Sequence, residues 1–176
     1  MKKLNLEELG RISVQQFKLA EKLPVAILLD NIRSLHNVGS VFRTADAFRL
    51  DRIMLAGITG RPPRREIHKT ALGATESVDW SYHEQPGDAA REMKKNGYRI
   101  VVVEQTTESI PLQEFQILPG ERICLAFGNE IHGVSEAVIE CADRAVEIPQ
   151  AGTKHSLNIS VCAGIVCWQI FKQLRL

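Results

Sequence analysis

The chain has 176 residues, with 22 Lys+Arg against 21 Asp+Glu for a formal net charge of +1, and it is 44% hydrophobic and 24% charged. That composition excludes a disordered or fibrous chain, and the length suits one domain with a sizeable core. The near-neutral total hides an asymmetry: residues 31–70 carry eight basic side chains against three acidic ones, and the remainder is net acidic, a pattern that can mark a site for an anionic partner.

Leu6, Leu9, Ile12, Phe17, Leu19, Ala20 and Leu23 recur at helical spacing and predict an amphipathic helix over 6–22, ended by Pro24. The continuous apolar run at 25–29 predicts a strand buried on both faces, as in a parallel sheet. A helix is predicted over 38–48 and a second strand over 52–56. A loop follows over 57–63, then a short helix over 64–72 stopped near Gly73, and an extended segment over 78–82. The pattern continues with a helix over 88–96 capped by Gly97 and a strand over 98–103. Residues 110–115 are ambiguous. A strand over 122–127, a short helix over 135–141 beginning at Ser135, a strand over 144–148 closed by Pro149 and a long, mostly apolar helix over 156–174 complete the chain. Five or six strands alternating with helices argue for an α/β fold with a mostly parallel sheet flanked by helices. Residues 1–23 read as an N-terminal helical extension and residues 24–176 as the main body of a single compact domain.

The longest nearly apolar stretch, at 157–171, is too short for the roughly 20 residues of a membrane span, and Asn158, Ser160 and Gln169 interrupt it. No apolar run follows the N-terminal lysines, so no signal peptide is expected. Cys124, Cys141, Cys162 and Cys167 form no CxxC pair and read as reduced thiols of a cytoplasmic protein. His36, His68, His83, His132 and His155 have no ligand spacing, so no metal is expected. The last helix is apolar on nearly all sides. It either lies inside the fold or meets another subunit, and the subunit interface is the preferred reading.

In a parallel sheet, function gathers in the loops leaving the carboxyl ends of the strands. In the segment 30–48, Asn37 either caps the helix or binds a ligand. Gly39 costs about 1 kcal/mol in a helix relative to Ala, which suggests close approach of a ligand or another backbone. Arg43, beside Phe42 and Ala45, is either a structural ion-pair partner or a functional group. In 125–135, Gly128, Asn129, Glu130 and Gly133 allow a tight turn that can wrap a flat ligand. In 148–160, Ser156 could cap the last helix, which would leave Asn158 and Ser160 inside it, and buried polar side chains need partners.

Taken together, Asn37, Gly39, Arg43, Thr44 and Ala45, then Phe127-Gly128-Asn129-Glu130 with Gly133, then Ile148-Pro149 with Gly152 and Ser156-Leu157-Asn158-Ile159-Ser160, resemble the three motifs of the SpoU/TrmH family of RNA ribose 2′-O-methyltransferases. This family is a branch of the SPOUT superfamily of S-adenosylmethionine-dependent enzymes. Lys69 with Leu72-Gly73-Ala74 is similar to a further family segment, and the resemblance covers about residues 24–172. It implies that 24–176 is a catalytic domain whose parallel sheet ends in a deep trefoil knot. It also implies a homodimer, formed here through the C-terminal helix, with an active site completed across the interface.

The resemblance further implies a pocket for S-adenosylmethionine lined by Glu104, Gln105 and Thr106, by Ala126, Phe127, Gly128, Asn129 and Glu130, and by Ile148, Ser156 and Leu157. Ile148 and Leu157 would sandwich the adenine. Arg43 matches the family's catalytic arginine, with Asn37, Glu130, Ser156 and Asn158 orienting it, the ribose and the cofactor. A guanidinium has a pKa above about 12 and is not deprotonated in proteins, so gripping the adjacent phosphate and stabilising a developing oxyanion suit Arg43 better than acting as a base. Arg33, Arg61, Arg64, Arg65 and Lys69 are the candidates for contact with the phosphates of a tRNA or rRNA. Many relatives carry an extra N-terminal RNA-binding domain, so RNA choice is expected to rest on the catalytic domain, its N-terminal helix or a partner. The alternatives are a superfamily enzyme acting at a different RNA position, a non-catalytic knotted RNA-binding protein, and a nucleotide-binding α/β protein. The absence of GxGxxG and GxxxxGK[ST] weighs against the last.

Overall fold

The computed structural model describes residues 1–5, 8, 10–154 and 156–176. Seven strands, β1 Leu23–Asp30, β2 Leu50–Ala56, β3 Asp79–His83, β4 Tyr98–Val103, β5 Ile110–Pro111, β6 Arg122–Phe127 and β7 Arg144–Glu147, form one sheet in the order β3-β2-β1-β6-β4-β7-β5. Every pairing is parallel. The helices are α1 Val14–Leu19, α2 Leu35–Ala47, α3 Arg65–Ala71, α4 Ala74–Ser77, α5 Pro86–Lys95, α6 Glu136–Ile139 and α7 Ile159–Arg175.

Parallel strands need crossover connections, and these put helices on both faces of the sheet. In β1, Val25, Ile27 and Leu29 join a core with α2 and α7, whereas Ala26 and Leu28 pack with Ala89, Ala90 and Met93 of α5. Burial on both faces is why the run at 25–29 is apolar without alternating. Gly39 reflects close approach of another backbone. A Cβ there would lie 2.1 Å from Thr70 Oγ1 and 2.3 Å from the Ile67 carbonyl oxygen, so α2 and α3 pack with little between them.

Several expectations are corrected. Among the described residues the strands number seven, because 110–115 resolves into the two-residue edge strand β5 and a 3-10 turn at Leu112–Glu114. The helix expected over 6–22 is the six-residue α1, opened by a capping box in which Ser13 Oγ accepts from Gln16 N at 3.2 Å. Leu6 and Leu9, which helped set its period, lie outside the described residues. Pro24 lies inside β1. The helix over 64–72 is α3, which stops before Gly73 as expected, with Leu72 and Gly73 at left-handed φ values of 49° and 91°; the short helix α4 that follows was not expected. The last helix begins at Ile159 because Asn158 caps it, its side-chain oxygen accepting from Ser160 N at 2.9 Å. Asn158 is therefore an exposed cap rather than a buried polar side chain.

α7 packs against α2 and buries Ile159, Ala163, Val166, Cys167 and Ile170. Val161, Ile165 and Trp168 remain 51%, 40% and 49% exposed along its other face. Among the described residues α7 is therefore enclosed on one face only. Among the described residues, no helix is long and apolar enough to cross a membrane.

Candidate functional site

A cavity of about 310 Å³ opens at the carboxyl ends of β4, β6 and β7, the end of a parallel sheet where ligands bind. Its apolar wall is Phe127, Ile148, Leu157 and Ile159, and Glu104, Glu130 and Glu147 also line it. No basic side chain stands among its described lining residues. Of the eleven residues expected here, Glu104, Gln105, Phe127, Gly128, Asn129, Glu130, Ile148, Ser156 and Leu157 line the cavity. Ala126 does not: side chains alternate along a strand, and Ala126 turns into the α5 core while its neighbour Phe127 faces the other way. Thr106 does not either, since it closes a turn in which its backbone N–H donates to Ser109 Oγ at 3.3 Å. Val103, Glu147, Gln150 and Cys162 are lining residues that the motifs did not mark.

The turn after β6 is shaped by backbone contact. A Cβ on Gly128 would fall 2.0 Å from the Gly133 carbonyl carbon, and Asn129 and Gly133 exchange backbone hydrogen bonds of 2.9 and 2.8 Å. Asn129 pins the turn from inside: its oxygen accepts from Ile131 N at 2.9 Å and its amide donates to the Asn31 carbonyl at 2.9 Å. Glu104 clamps the turn from the β4 side, accepting from Val134 N at 3.0 Å and from Gln105 N at 2.9 Å.

The sequence reading missed the residue at the centre of this arrangement. Asp30, fully buried at the end of β1, accepts from Ser135 N at 2.7 Å and from the Asn31 amide at 2.7 Å. Asn31, at φ 57°, accepts in turn from Ile58 N at 3.0 Å. One carboxyl thus ties together the loops after β1, β2 and β6. The available signal was a charged residue closing a strand that is otherwise apolar.

The three motifs meet at the cavity mouth. Asn37 donates to Glu130 Oε1 at 2.9 Å, and Asn158 donates to Asn37 Oδ1 at 3.3 Å. Asn37 does not cap α2. Ser34 does, accepting from the Asn37 backbone N–H at 3.3 Å. Arg43 is not brought to the cavity. Six residues of helix carry it about 9 Å along α2 and turn it well away from Asn37. It is exposed on the wall of a second cleft, of about 700 Å³, with Arg11, Asp46 and Arg49. No hydrogen bond or ion pair engages its guanidinium among the described residues.

Arg33, Arg61, Arg64, Arg65 and Lys69 are all exposed. They lie on the loops after β1 and β2 and on α3, on the opposite side of β1 from the acidic cavity. Burial pushes the Cys124 and Cys167 thiols up to about 12, and burial followed by the nearby Glu104 pushes Cys162 up to about 11. Cys162, though it lines the cavity, therefore stays a protonated thiol and not a nucleophile. All four cysteines are free. Among the described residues no acidic, histidine or cysteine cluster is placed to hold a metal ion.

A family model described as the SpoU rRNA Methylase family matches residues 24–168. The tRNA (guanosine(18)-2′-O)-methyltransferase of Aquifex aeolicus is 30% identical over 151 residues, which cover 84% of this chain and 68% of that protein. A Staphylococcus saprophyticus protein of the TrmH family of tRNA/rRNA methyltransferases is 29% identical over 160 residues, covering 91% of this chain and 63% of that one. The chain thus spans about 63% of the length of the first curated relatives it matches. Among solved structures, the AdoMet-bound rRNA methyltransferase of Sinorhizobium meliloti aligns with TM-score 0.81 at 25% identity, over 89% of this chain and 59% of that one. The A. aeolicus TrmH/SpoU tRNA modifying enzyme aligns with TM-score 0.80 at 26% identity, over 91% and 81%.

Proposed function

Since the chain belongs to the SpoU rRNA methylase family, we propose that it transfers a methyl group from S-adenosylmethionine to a ribose 2′-hydroxyl of a tRNA or rRNA. The observation that carries this reading is the meeting of Asn37, Glu130 and Asn158 at the mouth of the acidic, apolar-walled cavity.

The cavity residues fit this cofactor. Ile148 and Leu157 offer apolar surfaces for a flat ring, and Glu104, Glu130 and Glu147, with no basic side chain among the described lining residues, suit a ligand bearing positive charge. S-adenosylmethionine, when bound, supplies a methyl group already activated by its sulfonium. The protein's task is then orientation and charge. Asn37, Glu130 and Asn158 hold the cavity mouth. Arg43 keeps its protons, grips the phosphate beside the target ribose and stabilises negative charge growing on the 2′-oxygen. The hydroxyl proton leaves to that phosphate or to water.

In this reading Arg43 serves the cavity of a second copy. Its exposure, its lack of a partner among the described residues and the uncovered stripe Val161, Ile165 and Trp168 on α7 support a homodimer through that helix. The reading includes the C-terminal trefoil knot, supported by β6 lying between β1 and β4 and by the return of α7 to α2 after β7. It takes 24–176 as the catalytic domain with 1–23 as its extension, and a cytoplasmic location in keeping with four free cysteines.

Methyl-labelled cofactor incubated with the purified protein and total RNA tests the proposal. Label in the RNA supports it. Cofactor and RNA binding without label transfer would leave the non-catalytic knotted RNA-binding protein as the better reading.

A further inference from the structure

Beside the basic loop after β2 lies an aromatic edge for which the proposed reaction has no use. β3 is an edge strand. Its Ser81 and His83 face α5: Ser81 Oγ lies 3.2 Å from Met54 Sδ, and His83 Nε2 lies 3.9 Å from Glu92 Oε2. Trp80 and Tyr82 therefore point to the opposite face, and each is 36% exposed. Along a strand they stand roughly 6.6 Å apart.

Tyr82 and Arg61 are held in place. Tyr82 donates its hydroxyl to the Gly57 carbonyl at 3.0 Å, and the Arg61 guanidinium lies 4.2 Å from the Tyr82 ring centroid. The loop carrying Arg61 is itself fixed. Thr59 donates to the Leu29 carbonyl at 3.0 Å and accepts from Ile32 N at 2.9 Å, and Gly60 lies so close to Leu35 that a Cβ would meet Cδ2 at 2.0 Å. Arg64 and Arg65 follow directly, both exposed.

We infer that Trp80, Tyr82 and Arg61 form a stacking platform for an unpaired base of an RNA strand whose adjoining phosphates Arg64 and Arg65 hold. The inference rests on the reading of the protein as RNA-binding and adds a site apart from the cavity and from Arg43. Rings and a guanidinium plane set beside cations are the means by which single strands are held, since every base has a π-face and every nucleotide a phosphate. In a duplex the base faces are already stacked, so the platform selects an unpaired nucleotide. An apolar protein partner would leave three arginines uncompensated, so charge complementarity favours the polyanion.

Fluorescence-detected titration with two probes, oligoadenylate and an abasic ribose-phosphate chain of equal length, tests this. Wild-type protein should prefer oligoadenylate by about 5- to 100-fold. Trp80→Ala, Trp80→Leu and Tyr82→Leu should each weaken oligoadenylate binding toward the abasic value and leave the abasic value unchanged. The chain has two tryptophans, so in Trp168→Phe the emission comes from Trp80, and only oligoadenylate should quench it. Equal binding of both probes by the wild type, with Trp80 unquenched, overturns the platform and leaves RNA binding standing. Binding of neither probe overturns both readings. Trp80 emission that follows protein concentration rather than RNA would assign the face to a second copy of the chain and overturn the platform.

Discussion

The side-chain amide of Asn37 donates to Glu130 Oε1 at 2.9 Å, joining two motifs 93 residues apart in the chain. It sets α2 against the turn that walls the cavity at an exposed position, where water competes for both groups and the bond supplies orientation more than stability. Glu130 is exposed, so its removal should change stability by less than about 0.5 kcal/mol. Glu130→Ala should therefore lower kcat/KM by about 10- to 100-fold with an unchanged melting temperature. Glu130→Gln, which still accepts from Asn37, should separate the loss of charge from the loss of the contact.

Arg43→Ala should abolish methyl transfer while cofactor affinity, measured by calorimetry, stays within about twofold, because Arg43 lies outside the cavity. Loss of cofactor binding would contradict the role given to it. If the site is shared between copies, mixing inactive Arg43→Ala with inactive Asn158→Ala should restore about a quarter of wild-type activity. Random reassortment makes half the dimers mixed, and each mixed dimer carries one intact site. Silence in the mixture would place both residues in one subunit's site.

Asp30→Ala removes, from a fully buried position, the acceptor for Ser135 N and for the side-chain amide of the half-buried Asn31. Leaving such donors unsatisfied costs about 1–3 kcal/mol each, so denaturant unfolding should show a loss of about 2–6 kcal/mol for the pair. Asp30→Asn should fall between, since one of its amide atoms would face the Asn31 donor.

Gly39→Ala should destabilise the protein by about 2 kcal/mol or more, because the new Cβ meets the Ile67 backbone oxygen at 2.3 Å and α3 must move. A neutral result in the same unfolding assay would mean that α2 and α3 are not packed this closely.

The buried thiols give the pH dependence. Cys124 and Cys167 sit at about 12 and Cys162 at about 11, against 9.0 for a free thiol. Above pH 9 the unfolded chain loses these protons while the folded chain keeps them, so stability falls as pH rises from about 9 toward 12. Below pH 9 the three groups contribute no slope. Denaturation midpoints across pH 7–11 check the sign, and native protein at pH 8 should resist alkylation at Cys124 and Cys167.

The parts of the fold legible in sequence were those where one physical requirement dominates. The bounds 98–103 and 122–127 match β4 and β6 because fully buried parallel strands leave uninterrupted apolar runs. The end of α3 was legible because a glycine follows it, and Gly73 takes the left-handed φ of 91° expected of a helix stop, whereas the four-residue α4 beyond it was not. Asp30 stayed hidden because its partners, Ser135 and Asn31, are set by tertiary contact alone. The motifs marked nine cavity residues, but which face of α2 meets the cavity, and so that Asn37 reaches it and Arg43 does not, appears only once the helix is placed against the sheet. Asn158 was marked for the site, though its role as the cap of α7 was not.

The most direct test of the central claim is mass spectrometry of nucleosides from RNA incubated with the protein and cofactor carrying a deuterated methyl group. The account predicts the heavy methyl on a ribose 2′-oxygen, present with wild-type protein and absent with Arg43→Ala. A heavy methyl on a base, or none in any RNA although the protein binds the cofactor, would contradict it.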